Sequence, residues 1–89
     1  MKVLIIDDTK SITEMFSSYL ELKGHNCTLS NSGRNGLQLI EHEKFDVIIL
    51  DIAMPEFSGF DVVDSLHKNN QIDDKNIIVL IFYSRECIF

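Results

Sequence analysis

An α/β domain built on a parallel, doubly wound sheet of order 2-1-3-4 is the fold class this sequence predicts, and three observations carry the prediction. The runs Val3-Leu4-Ile5-Ile6, Val47-Ile48-Ile49-Leu50 and Ile77 to Phe82 are continuously apolar. That pattern suits strands covered on both faces, whereas a half-exposed strand alternates apolar with polar residues. The segments between them carry apolar residues at helical spacing, and strand–helix alternation with right-handed crossovers yields a sheet flanked by helices on both sides. Finally, two of the apolar runs end in acids, Asp7-Asp8 and Asp51.

The elements follow in order. After the first strand, Ile12, Met15, Phe16, Tyr19 and Leu20 recur at helical spacing, with Ser11 and Glu14 as an expected capping box. Gly24 closes this helix, and Cys27-Thr28-Leu29 forms a short second strand. Ser32-Gly33 opens a second helix that carries Leu37 and Ile40 on one face with Leu39 beside them. Phe45 packs the turn into the strand ending at Asp51. Ser58-Gly59 starts a third helix with Phe60, Val63 and Leu66 expected inward, and the polar stretch 69–76 is a loop into the fourth strand. No internal repeat, low-complexity tract or linker interrupts the series, so residues 1–89 read as one domain.

Composition narrows the function. A domain of 89 residues buries only about 60 to 65% of the surface its unfolded chain exposes, so the core is thin. A net charge of −6 argues against binding of nucleic acid or an anionic membrane, and favours local binding of a cation. No stretch is long enough to span a bilayer, and Met1-Lys2 leads into a four-residue apolar run rather than the longer one of a signal peptide; a cytoplasmic location is expected. Cys27 and Cys87 read as a buried small hydrophobe and an incidental thiol.

The acids carry the chemistry. In an open parallel sheet, ligands bind beyond the carboxyl ends of the strands where strand order reverses, here between the first and third strands. Asp7, Asp8 and Asp51 therefore surround one pocket. Ionised carboxylates a few Å apart repel by roughly 4 kcal/mol per pair at an effective dielectric near 20, which calls for a cation. A small hard ion such as Mg²⁺ suits oxygen ligands. An aspartate beside such an ion can attack phosphorus, because the cation offsets repulsion from the incoming phosphoryl group. Asp51, which alone ends the third strand, is the nucleophile candidate, and Asp7 and Asp8 are better placed to hold the ion.

The segments Val3-Leu4-Ile5-Ile6-Asp7-Asp8, Asp51-Ile52-Ala53-Met54-Pro55 and Ser58-Gly59-Phe60, with the Gly24-His25 turn and Asn35-Gly36-Leu37 in matching spacing, resemble the receiver domain of two-component response regulators. The resemblance covers residues 2 to about 80 and implies a flavodoxin-like fold. It implies that Asp51 accepts a phosphoryl group from the phosphohistidine of a sensor histidine kinase or a phosphotransfer protein. It also implies Mg²⁺ coordination by Asp8 and Asp51 directly, by Asp7 mainly through water, and by the backbone carbonyl of Ala53. Met54-Pro55 and Gly59 would shape the loop over the site, with glycine tolerating a positive φ. For Asp7 the alternative is a strand-end carboxylate that caps the following helix.

The sequence also departs from the family pattern. Receivers carry Thr or Ser at the end of the fourth strand, where this chain has Ile81 followed by Phe82, and an aliphatic side chain cannot donate the hydrogen bond to a phosphoryl group. Ser84 would need a shifted register to serve. The family's fifth strand, with its lysine, and last two helices have no counterpart before Phe89, which reads as a truncation or a changed reading frame. Loss of those elements would leave one sheet face half bare and the apolar fourth strand at an edge, so marginal stability or self-association through the fourth strand or first helix is expected.

Three functions are weighed on this basis. The first is a phosphoacceptor in two-component signalling, with no enzymatic or DNA-binding output in this chain. The second is a degenerate receiver that binds a partner independently of phosphorylation, favoured by Ile81. The third is a Mg²⁺-dependent phosphohydrolase, disfavoured because such enzymes place a second Asp where this chain has Ala53. A dinucleotide site is excluded by the lack of a glycine-rich loop after the first strand.

Overall fold

The computed structural model describes residues 1–51, 54, 58–68 and the backbone of 76–80. Within them the chain runs β1 (Lys2–Ile6), α1 (Lys10–Leu22), β2 (Asn26–Ser30), α2 (Gly33–His42), β3 (Val47–Asp51), α3 (Gly59–Lys68) and β4 (Asn76–Leu80). The four strands form one parallel sheet in the order β2-β1-β3-β4, as the alternation of elements predicted. The fourth strand begins at Asn76, a residue assigned to the loop on sequence. Ile81 and Phe82, expected to continue it, lie outside the described residues.

Side-chain alternation on the two central strands divides the core. Leu4, Ile6, Ile48 and Leu50 face α2 and α3, where they pack with Phe45, Met54, Val62 and Leu66 and with the partly buried Leu37, Leu39, Ile40 and Val63. Val3, Ile5 and Ile49 face α1 and meet Phe16, Leu20, Cys27 and Val47. Burial of each large aliphatic side chain contributes about 1.5 to 3 kcal/mol, so the continuous apolar runs of β1 and β3 supply most of the driving force on both faces. Cys27 is a free, half-buried thiol whose pKa is pushed up, first by burial and then by the nearby charge of Glu21. Cys87 lies outside the described residues.

Helix boundaries follow local chemistry, with three corrections to the sequence reading. Helix α1 starts two residues earlier than a cap at Ser11 requires. Thr9 is its N-cap position, and the Ile12 and Thr13 N–H groups donate to the Thr9 carbonyl, so Ser11 lies inside the helix. The inward stripe of α1 runs through Thr13, Phe16 and Leu20, leaving Met15 and Tyr19 more than half exposed although they share the helical spacing. On α3 the stripe runs through Val62, Val63 and Leu66, and Phe60 is exposed rather than inward. In both helices a residue that shares the helical spacing lies off the stripe that faces the sheet.

The predicted stops and the other starts hold. Gly24 takes φ +93° after α1, its N–H donating to the Glu21 carbonyl and the His25 N–H to the Leu20 carbonyl. This pair of bonds is the Schellman arrangement, and the left-handed φ explains glycine there. The Ser32 hydroxyl accepts from the Asn35 N–H and caps α2. Ser58 and Asp61 bond reciprocally at the start of α3: the Ser58 N–H donates to Asp61 Oδ2 and the Asp61 N–H to Ser58 Oγ. Gly59 is the first residue of that helix, so it has helical backbone rather than the positive φ expected of it.

Candidate functional site

The acids converge as the strand order requires. β1 and β3 are paired in parallel with Ile6 opposite Leu50, so Asp7 follows one strand at the level where Asp51 ends its neighbour. One carboxylate oxygen from each of Asp7, Asp8 and Asp51 lies within 4.8 Å of the other two. Asp7 and Asp51 are buried, at 1% and 0% exposure, while Asp8 is open to solvent. Two buried carboxylates and one exposed carboxylate offer a hard, all-oxygen donor set. This is the chemistry Mg²⁺ selects.

Asp7 does two things at once. Its Oδ1 accepts the Thr9 N–H at 2.9 Å, which tightens the turn into α1. The bonded N–H is that of Thr9, the N-cap position, so this bond closes the turn before α1 and does not satisfy an N–H of the helix itself, as the capping alternative for Asp7 required. Met54 is buried against Leu50 and the α2–α3 core, which anchors the chain leaving β3. Ala53, Pro55, Ile81 and Ser84 lie outside the described residues.

A polar group beside the acids escaped the sequence reading. Ser30 and Thr13 are buried at 2% and 0% exposure, and the exposed Asn31 connects Thr13 to Asp7. Asn31 Nδ2 donates to the Asp7 carbonyl at 2.8 Å and approaches Thr13 Oγ1 at 3.4 Å, while Thr13 Oγ1 donates to the Lys10 carbonyl at 2.9 Å. The Asp7 N–H donates to the Ser30 carbonyl at 3.0 Å, extending the β1–β2 ladder by one residue, and Ser30 Oγ donates to the Ser32 carbonyl. The available signals were Thr13, a polar residue on an inward helical position, and Ser30-Asn31, which follow a strand at the same carboxyl end as the acids.

Comparison with known proteins agrees with this geometry. The family model for the response regulator receiver domain matches residues 3–86. The response regulator SaeR of Staphylococcus epidermidis is 39% identical over 71 residues, and SaeR of Staphylococcus aureus is 34% identical over 71 residues. Each match covers 80% of this chain but only 30% of the relative, so the chain spans less than a third of the length of these curated relatives. Among solved structures, the Vibrio cholerae chemotaxis protein CheY4 superposes with a TM-score of 0.82 at 35% identity, covering 88% of this chain and 65% of that one. Thermotoga maritima TrrA, solved in complex with Mg²⁺-BeF, superposes with a TM-score of 0.83 at 31% identity, covering 94% of this chain and 71% of that one. The family model matches residues 3–86 of the 89, the strand order is the one these neighbours superpose on, and the chain belongs to the response regulator receiver family.

Proposed function

We propose that this chain is a phosphoacceptor in two-component signal transduction, with Asp51 as the acceptor and a sensor histidine kinase or phosphotransfer protein as the donor. Receiver domains are signalling modules, and this chain is one by family. Phosphoryl acceptance is supported by the convergence of three carboxylates from two adjacent strand ends on a region less than 5 Å across. In the proposed step an Asp51 carboxylate oxygen attacks phosphorus, the P–N bond to the donor imidazole breaks, and Asp51 is left as a mixed carboxylic–phosphoric anhydride. Asp8 and Asp51 would hold Mg²⁺ directly, Asp7 mainly through water, and the Ala53 carbonyl would complete the set. The ion supplies charge neutralisation between the carboxylates and the phosphoryl oxygens. TrrA, a neighbour solved with Mg²⁺-BeF, supports the choice of ion.

Burial of Asp51 at the end of a central strand keeps its carboxylate fixed. A fixed nucleophile needs only approach and alignment of the donor, which is the larger part of catalysis in phosphoryl transfer. Incubation with acetyl phosphate and Mg²⁺, followed by intact mass measurement, should add one phosphoryl group that is lost on hydroxylamine treatment. Asp51→Asn should abolish the addition. Modification that persists in Asp51→Asn refutes the assignment.

The second reading, a partner-binding module that works without phosphorylation, rests on Ile81 standing where the family has Thr or Ser. In that case acetyl phosphate adds no mass under conditions in which the domain is folded and binds Mg²⁺.

A further inference from the structure

The strand ladder between β1 and β2 ends at Ile6 and Ser30, yet the residues that form the acidic site lie just beyond it. A carboxylate on the first residues past a strand is well placed only if the backbone there is held. At residue 7 hydrogen bonds hold it: the N–H donates to the Ser30 carbonyl, Oδ1 accepts the Thr9 N–H, and, third, the carbonyl oxygen accepts from Asn31 Nδ2. The first two belong to the sheet and to the turn into α1. The third comes from a side chain that belongs to neither.

That third bond acts on the peptide linking Asp7 to Asp8. A carbonyl oxygen only accepts, so the contact at 2.8 Å requires the amide nitrogen of Asn31 to face Asp7 and sets the orientation of the side chain. Thr13 Oγ1, wholly buried at the start of α1, backs the same nitrogen at 3.4 Å. One amide thereby ties the end of β1, the end of β2 and the first turn of α1. Asp8 itself is exposed, and its direction depends on the plane of the peptide that Asn31 grips.

We infer that Asn31 is a positioning residue for the cation site: by clamping the Asp7–Asp8 peptide it holds the Asp8 carboxylate towards Asp7 and Asp51. Outer partners that orient metal ligands typically change metal affinity 10- to 100-fold when removed. The inference rests on the reading of Asp7, Asp8 and Asp51 as a divalent-cation site, and the experiment separates the two. Mn²⁺ and Mg²⁺ affinities are measured on the folded domain for wild type, Asn31→Ala and Ser32→Ala. Ser32→Ala removes the neighbouring helix cap, a loss of stability of the same order as losing the Asn31 bond, without touching Asp7.

The expected result is a cation affinity at least tenfold weaker in Asn31→Ala and unchanged in Ser32→Ala, with Asp8 losing most of its cation-induced NMR shift only in the first variant. Equal affinity in wild type and Asn31→Ala, or equal weakening in both variants, overturns the positioning role. Absence of any cation binding by wild type at millimolar concentrations overturns the underlying site and this inference with it. If Asn31→Ala does not fold, Asn31→Ser, whose hydroxyl is too short to reach the Asp7 carbonyl, is judged by the same outcomes.

Discussion

Replacement of Gly36 by alanine sets two opposing effects against each other inside one helix, and the structure decides the sign. Alanine in a helix interior is favoured over glycine by about 1 kcal/mol. A Cβ built on Gly36, however, falls 2.5 Å from Ile6 Cδ1, 2.9 Å from Cγ1 and 3.4 Å from Cγ2. Carbon atoms in contact prefer roughly 3.5 to 4.0 Å, so the first two approaches are deep overlaps. The terminal methyl could swing aside, but Cγ1 is bonded to the Ile6 Cβ and moves only with χ1, which is stiff in a β-branched residue. Ile6 is wholly buried on a central strand, with Leu4 and Leu50 in the same cluster, and has little space to turn into.

Overpacking of this kind costs about 1 to 3 kcal/mol. Gly36→Ala should therefore destabilise the domain by up to about 2 kcal/mol net, a fall in Tm of up to roughly 16 °C for a domain of this length. Urea unfolding of wild type, Gly36→Ala, Ile6→Val and the double variant gives the test. Ile6→Val deletes Cδ1 and alone should cost about 0.5 to 1.5 kcal/mol. In the Gly36→Ala background it should cost less or stabilise, with a coupling of about 1 kcal/mol. Gly36→Ala at or above wild-type stability, or additive effects, would refute the argument and mean that helix propensity outweighs the contact.

Gly24 poses the complementary case, since a Cβ there meets nothing within 4 Å while φ is +93°. Gly24→Ala should cost about 1 to 2 kcal/mol in urea unfolding through backbone strain alone, and Gly24→Asn clearly less. Mg²⁺ at ten times its dissociation constant should stabilise the wild-type domain by about 1.4 kcal/mol, raising Tm by roughly 6 to 11 °C, and chelation should reverse the gain. Asp8→Ala should be indifferent to Mg²⁺ in the same thermal scan; a full response in that variant would remove Asp8 from the ligand set.

Strand identity, strand order and the meeting of Asp7, Asp8 and Asp51 were legible in the sequence because each depends on strong, additive signals. Continuous Val, Ile and Leu runs suit only strands covered on both faces, right-handed crossovers leave few ways to order them, and acids at strand ends must then share one end of the sheet. Gly24, Ser32 and Ser58 were legible as helix boundaries because their reasons are local: a left-handed φ or a hydroxyl within reach of orphan N–H groups. What only the tertiary structure decided is which of several apolar residues on a helix faces the sheet. Met15, Tyr19 and Phe60 satisfy the same spacing as their buried neighbours, and a rotation of the helix by a fraction of a turn, set by packing against β1 and β3, leaves them in solvent. The same holds for the hydrogen bonds that support the acids. Asn31 lies 24 residues from the Asp7 carbonyl it bonds and 18 from Thr13, and no local pattern announces a hydrogen bond that exists only once three separate chain segments have met at one end of the sheet.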